Sequence, residues 1–168
     1  MTAPVTPATT LRTLALAFAT TPIVIGIALV FVAKPANGES AKASVGIVAA
    51  EIVIAVLAEL LLETMGYRIK PLDATMDAEK AASQAGVRFQ ASMILRFALA
   101  EVVVLISIAL TFVVTPLTVL NYLVGAALGV ALILIHVWPS SRVLTRCAAA
   151  MDRDGGRSQL VERLGKNT

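Results

Sequence analysis

Charge is scarce in this chain. Asp, Glu, Lys and Arg make up 15% of 168 residues, against 58% hydrophobic, and the mean hydropathy is +0.85. That balance excludes an ordinary soluble domain and indicates an integral membrane protein. Cysteine is reduced to Cys147, which rules out an intramolecular disulfide and any CxxC or Cys/His zinc cluster. Histidine is reduced to His136, so bis-histidine haem ligation within one chain is excluded and no second ligand is spaced for a metal. No GxSxG, HExxH or paired-aspartate motif occurs. Aromatics amount to 5% and are not interleaved with basic residues, so the net charge of +3 is no nucleic-acid signature. Membrane proteins instead gather Lys and Arg on their cytoplasmic flanks. These absences imply no enzyme, no cofactor, no metal and no nucleic-acid partner.

What the sequence has is long apolar runs. Four of them reach the roughly 20 residues that a helix needs to cross about 30 Å of hydrocarbon. They run over about 11–32, 44–66, 91–114 and 117–138. They must be helices, because lipid offers the backbone no hydrogen-bond partner, and the proline at position 22 is a tolerated kink. The first run follows a single basic residue, Arg12, but from Leu14 to Ala33 it is too long for a signal-peptide core and reads as a span. The predicted architecture is an all-α, four-span transmembrane bundle over 1–138. A cytoplasmic tail follows over 139–168.

The connections set the topology. "KPANGESAKA" (34–43) is a short polar loop, "YRIKPLDATMDAEKAASQAGVRFQ" (67–90) is longer, and Asp73 or Thr75 could cap a short helix within it. "TPLTVLN" (115–121) is a tight turn that forces the last two spans into an antiparallel hairpin. Outside the spans, one side carries Arg12, Arg68, Lys70, Lys80, Arg88, Arg142, Arg146, Arg153, Arg157, Arg163 and Lys166, and the other only Lys34 and Lys42. Positive charge stays inside, so both termini are expected in the cytoplasm. Tyr67, Trp138 and His136 then mark the inner membrane interface and Tyr122 the outer one. In the tail, Val143, Leu144, Cys147 and Met151 recur at helical spacing opposite Arg142, Arg146 and Arg153. That pattern predicts an amphipathic helix lying on anionic lipid or docking a protein partner.

Six ionisable residues fall inside the spans: Glu51, Glu59, Glu63, Arg96, Glu101 and His136. A charge at mid-membrane costs about 2.5–3.5 kcal/mol on insertion scales, so each needs a partner or a purpose. At about 1.5 Å per residue, Glu59 and Arg96 both lie about 12 Å inside the marks set by Tyr67 and Arg88, with Glu63 one turn away. An ion pair of Arg96 with Glu59, Glu63 or both is therefore expected. Glu51 and Glu101 lie deeper, at about 24 and 20 Å, beyond the reach of Arg96. Such a carboxyl can stay protonated, hydrogen-bond a neighbour such as Asn121 or Ser107, line a wet path or meet another subunit. "GAALG" (125–129) places Gly125 and Gly129 four apart, a small-residue face for close helix packing.

"ILRFALAEVVVLISIALTFVV" (94–114) resembles the carboxylate-bearing helix of the rotary ATP synthase proteolipid, the c-type subunit. The resemblance places Glu101 at the proton- or sodium-carrier position and Gly125 and Gly129 in the glycine-rich neighbour. Two features depart from that pattern: the glycine-rich helix follows the carboxylate helix, and Arg96 shares the carboxylate's helix. The Ala-, Val- and Thr-rich composition is similar to that of small multi-span proteins of high-GC bacteria, actinobacteria in particular. Some of these serve respiratory or cell-envelope complexes as accessory subunits. The sequence thus supports two expectations. One is a non-catalytic accessory or scaffold subunit in the bacterial cytoplasmic membrane, packed against other membrane proteins. The other is a proton- or cation-translocating protein that uses Glu101 and Glu51.

Overall fold

A computed structural model describes residues 7–32, 44–113 and 118–164. The loop over 34–43 with Lys34 and Lys42, residues 114–117 of the tight turn, and Lys166 lie outside the described residues. The described chain is helical, with no strand: α1 (Pro7–Val32), α2 (Val45–Met65), α3 (Ala78–Val113), α4 (Val119–Leu132), α5 (Ser141–Asp152) and α6 (Leu160–Leu164). A π-helical turn over Ile133–Val137 continues α4. Four helices are long and apolar enough to cross a membrane: Thr9–Val32, Val45–Met65, Ala78–Val113 and Val119–Val137.

The element ends follow from local chemistry. Thr118 caps α4 by accepting a hydrogen bond from the Leu120 amide, and Ser140 caps α5 through the Val143 amide, which satisfies first-turn donors that the helix leaves open. α3 begins well before the expected position 91. Asp77 is the residue that starts it, accepting from the amides of Glu79 (3.1 Å) and Lys80 (3.0 Å). Asp73 instead closes a local turn on the amide and hydroxyl of Thr75 (2.8 and 2.7 Å), so neither it nor Thr75 caps a separate helix. Within α1, Pro22 removes the amide donor that the Phe18 carbonyl would use. The hydroxyls of Thr20 and Thr21 donate to the Ala17 carbonyl at 2.9 and 3.1 Å beside this break.

Small residues set how closely the helices approach. A Cβ at Gly129 would run into the Val104 side chain, and one at Gly125 would overlap Ser107 and Glu51. The GAALG face is therefore spent inside this chain, on α2 and α3. Gly26 makes room for the Tyr122 ring, whose nearest carbon lies 3.1 Å from where a Cβ would stand. The Tyr122 hydroxyl donates to the Pro22 carbonyl at 2.5 Å, tying α4 to α1. Phe18 and Phe97 stack with ring centroids 3.7 Å apart, tying α1 to α3.

The tail corrects the sequence reading. Val143, Leu144, Cys147 and Met151 are fully buried, in one core cluster with Leu72, Phe89 and Met93. Their stripe covers neither lipid nor a partner. The early start of α3 supplies the wall against which α5 folds back, and the Leu72 amide donates to the Met151 carbonyl at 2.8 Å. Burying each large apolar side chain contributes about 1.5–3 kcal/mol, enough to hold the tail on its own chain. The loop after α5 is closed by Asp152, which accepts from the Ser158 amide (2.7 Å) and hydroxyl (2.9 Å).

Candidate functional site

The interior polar groups form two layers. The layer near the inner ends of α2 and α4 is the denser. Glu59 and Glu63 stand one turn apart on α2, and the π-helical turn of α4 brings His136 to face them. His136 is 1% exposed. Its Nε2 lies 2.8 Å from Glu59 Oε2, and its Nδ1 lies 3.1 Å from the Tyr67 hydroxyl. A neutral imidazole protonated on Nε2 donates to Glu59 and accepts from Tyr67, which gives a continuous carboxylate–imidazole–phenol chain. His136 is thus buried and hydrogen-bonded between Glu59 and Tyr67 rather than standing at the interface as an anchor. The inserted π turn makes the difference, since such insertions re-aim side chains.

Glu63 is held by Arg146 of α5, whose Nη1 donates to Oε1 at 2.7 Å and whose Nη2 donates to Oε2. The pair pushes the Arg146 guanidinium above its already high ordinary value, with the Glu63 hydrogen bond as the largest cause. Arg146 also lies over the Tyr67 ring, 4.0 Å from its centroid. Burial is the main cause of the Tyr67 hydroxyl's rise above its usual range. The phenol therefore stays protonated and available as a donor at neutral pH.

Arg96 does not pair with Glu59 or Glu63, which corrects the expectation from depth. It is 0% exposed and has no carboxylate partner among the described residues. Its Nη1 donates to Cys147 Sγ at 3.0 Å, and its guanidinium carbon lies 4.7 Å from the Tyr67 centroid and 5.6 Å from that of Phe89. Its Nε and Nη2 have no hydrogen-bond partner among the described residues. Two physical causes redirect it. Arg146 and His136 already occupy the carboxylates, and aromatic faces offer a weakly hydrated guanidinium a favourable alternative. Gly66 permits the arrangement, because a Cβ there would lie 2.8 Å from Arg96 Cγ. Burial raises the Cys147 thiol above its ordinary value, against the lowering effect of Arg96. Tyr67 thus stands between two guanidiniums, and Trp138 is partly buried against the same core.

The second layer lies toward the other ends of the spans. Glu51 is 1% exposed, and Ser107 Oγ donates to its Oε1. Its Oε2 has no partner among the described residues. Glu101 Oε2 is buried without a partner among the described residues as well. Asn121 accepts from the Ser44 amide at 2.8 Å, while its Nδ2 has no partner among the described residues. Tyr122 is fully buried, so it is a bond between α1 and α4 and not an outer-interface anchor. Of the neighbours expected for the deep carboxyls, Ser107 reaches Glu51.

One donor atom each from Glu59, Glu63 and His136 lie within 4.8 Å of one another, a separation that a divalent cation could bridge. Arg146 already takes both oxygens of Glu63 and His136 takes one of Glu59, so donors of the chain itself already occupy that set. Sequence reading missed Arg146, Cys147 and Tyr67 as members of this layer. The signal for Arg146 was its place within α5, directly before Cys147 of the buried stripe. Compared with protein-family models, with curated proteins and with solved structures, the chain matches none.

Proposed function

We propose that this chain is a four-span bundle of the bacterial cytoplasmic membrane, with both termini in the cytoplasm, that moves protons or small cations through its interior carboxyls. The observation that carries the reading is the Glu59–His136–Tyr67 chain at the inner ends of the spans. Chains of carboxylate and imidazole inside membranes are the usual parts of proton relays, and an intramembrane ionisable group is by default a functional one. Deeper in, Glu101 and Glu51 each keep a buried carboxyl oxygen without a partner among the described residues. A buried polar atom left open calls for a proton, an ion or water. The orientation rests on the excess of Lys and Arg around 67–90 and 139–168.

The test is proton flux into proteoliposomes, followed with an internal pH dye under an imposed potential. The wild-type chain should acidify the lumen, and Glu101→Gln should reduce the rate at least tenfold with an unchanged melting temperature. Wild-type protein that passes no protons or monovalent cations at any pH overturns the reading.

A second reading is an accessory subunit of a larger membrane complex. One observation favours it: Glu101 is only half-buried on α3, so its carboxyl can be met from outside the bundle by another subunit's helix. The tail and the GAALG face no longer support this reading, since both are consumed within the chain. Extraction in mild detergent followed by native mass analysis separates the two. A stable complex with a second protein that dissociates on Glu101→Gln supports the subunit reading, and a lone chain or homo-oligomer speaks against it.

A further inference from the structure

A cleft of about 260 Å³ lies where α2 ends and the loop to α3 begins. Its polar end is made by Arg68, Lys70 and Arg88, and its other end by Ser92, Ala91 and Leu95. No carboxylate lines it. Arg88 is fixed there: its Nη1 donates to the carbonyls of Lys70 (2.7 Å) and Pro71 (2.6 Å), and its Nη2 donates to Gln84 (3.0 Å). Arg68 and Lys70 are exposed, and neither forms an ion pair with a described residue. A neighbouring hollow shares Lys70 and Arg88 with Asp73 and Asp154. Asp73 is turned onto Thr75 and Asp154 lies 3.7 Å from Arg153, and among the described residues no carboxylate forms an ion pair with Arg68, Lys70 or Arg88.

The chemistry changes along the cleft in one direction. The cations sit just past Met65, the last residue of an apolar span. Ser92 follows, with its hydroxyl on the Gly66 carbonyl at 2.8 Å. Leu95, two turns of α3 from Arg88 and about 10 Å deeper, is 44% exposed. Cation, hydroxyl, then apolar wall is the order in which a membrane lipid presents phosphate, glycerol and acyl chain. Basic pockets between helices on the cytoplasmic side bind anionic headgroups for this reason.

We infer that this cleft is a binding site for an anionic phospholipid of the inner leaflet, its phosphodiester held by Arg68, Lys70 and Arg88 and its first acyl carbons lying on Ala91 and Leu95. The inference is independent of proton movement and would stand if no flux were found.

The test uses the full chain, delipidated in neutral detergent and titrated with phosphatidylglycerol or phosphatidylcholine by native mass spectrometry. Phosphatidylglycerol should bind at least tenfold more tightly. R68Q/K70Q should weaken it about 25-fold, at about fivefold per cation, while R157Q/R163Q in the tail leaves it within twofold. R68Q and K70Q are also measured singly, with about fivefold expected for each, so the result does not depend on the double variant folding. Equal binding of the two lipids overturns the inference, as does equal loss in the tail variant. Displacement of the lipid by millimolar inorganic phosphate alone also overturns it, because the site would then read the anion and not the lipid.

Discussion

The two polar layers use the same residue on the same helix and treat it in opposite ways. Glu59 and Glu63 end against His136 and Arg146, with a hydrogen bond or ion pair for each. Glu51, on the same helix, meets the hydroxyl of Ser107 and the backbone of Gly125 and keeps one oxygen open among the described residues. The difference comes from supply. The inner layer draws on the basic sequence around 67–90 and on α5, which folds back to deliver Arg146. The deeper layer can draw only on what the spans carry at that depth, and there they offer hydroxyls, an amide and a phenol but no described cation. A carboxyl can be pinned where cations are at hand, and is left open where they are not. The open one is the group free to change its proton.

The largest effect should come from closing the space that the deeper layer occupies. Gly125→Leu would drive a side chain into Ser107 and Glu51, and overpacking of this kind costs upward of about 3 kcal/mol. It should abolish a cooperative melt in detergent, whereas the same change at Gly86, where an added Cβ meets nothing within 4 Å, should shift the midpoint little.

Next is the inner ion pair. Arg146→Ala leaves Glu63 with His136 alone, 4.0 Å away. Breaking a fully buried pair costs about 3–5 kcal/mol, but Glu63 is 34% exposed, so screening should reduce this to about 1–3 kcal/mol. The Arg146→Ala/Glu63→Ala double variant should regain part of the loss, and strict additivity in that cycle would deny the pair. Ser107→Ala should cost about 1–2 kcal/mol by leaving Glu51 without its donor. Glu51→Gln should then be the milder change at the same site, read by the same unfolding curves.

The smallest effect is at the start of α3. The hydrogen bonds from Lys80 and Glu79 hold the Asp77 carboxyl below its ordinary value of 3.8. A depressed carboxylate stabilises the fold at neutral pH and loses that contribution as pH falls through its folded value. Protection of the amides over Ala78–Ala82, relative to their intrinsic exchange rates, should therefore fall below about pH 4, and Asp77→Ala should produce the same fraying at pH 7. Exchange that is insensitive to both would show that Asp77 is not the cap.

The spans were legible because hydrocarbon imposes length and apolarity on any chain that crosses it, and four helices of the required kind are present. Pairwise contacts were less legible. Depth alone placed Arg96 level with Glu59, yet depth says nothing of rotation about the helix or of competitors arriving from elsewhere. Arg146 is a tail residue whose arrival depends on α5 folding back, and no local pattern announces that. His136 looked like an interface residue because its position near Trp138 is visible in sequence, while the π turn that swings it inward is not. Ser107 was legible as a partner for a deep carboxyl, being one of few hydroxyls at that depth.

The most direct test of proton movement is a single set of proteoliposomes carrying wild-type protein, Tyr67→Phe and Glu101→Gln. Tyr67→Phe keeps the ring between Arg96 and Arg146 and deletes only the hydroxyl that reaches His136. The account predicts measurable flux in the wild type and at least a tenfold loss in both variants, with melting temperatures held. Flux that is absent from the wild type, or unchanged in both variants, would contradict it.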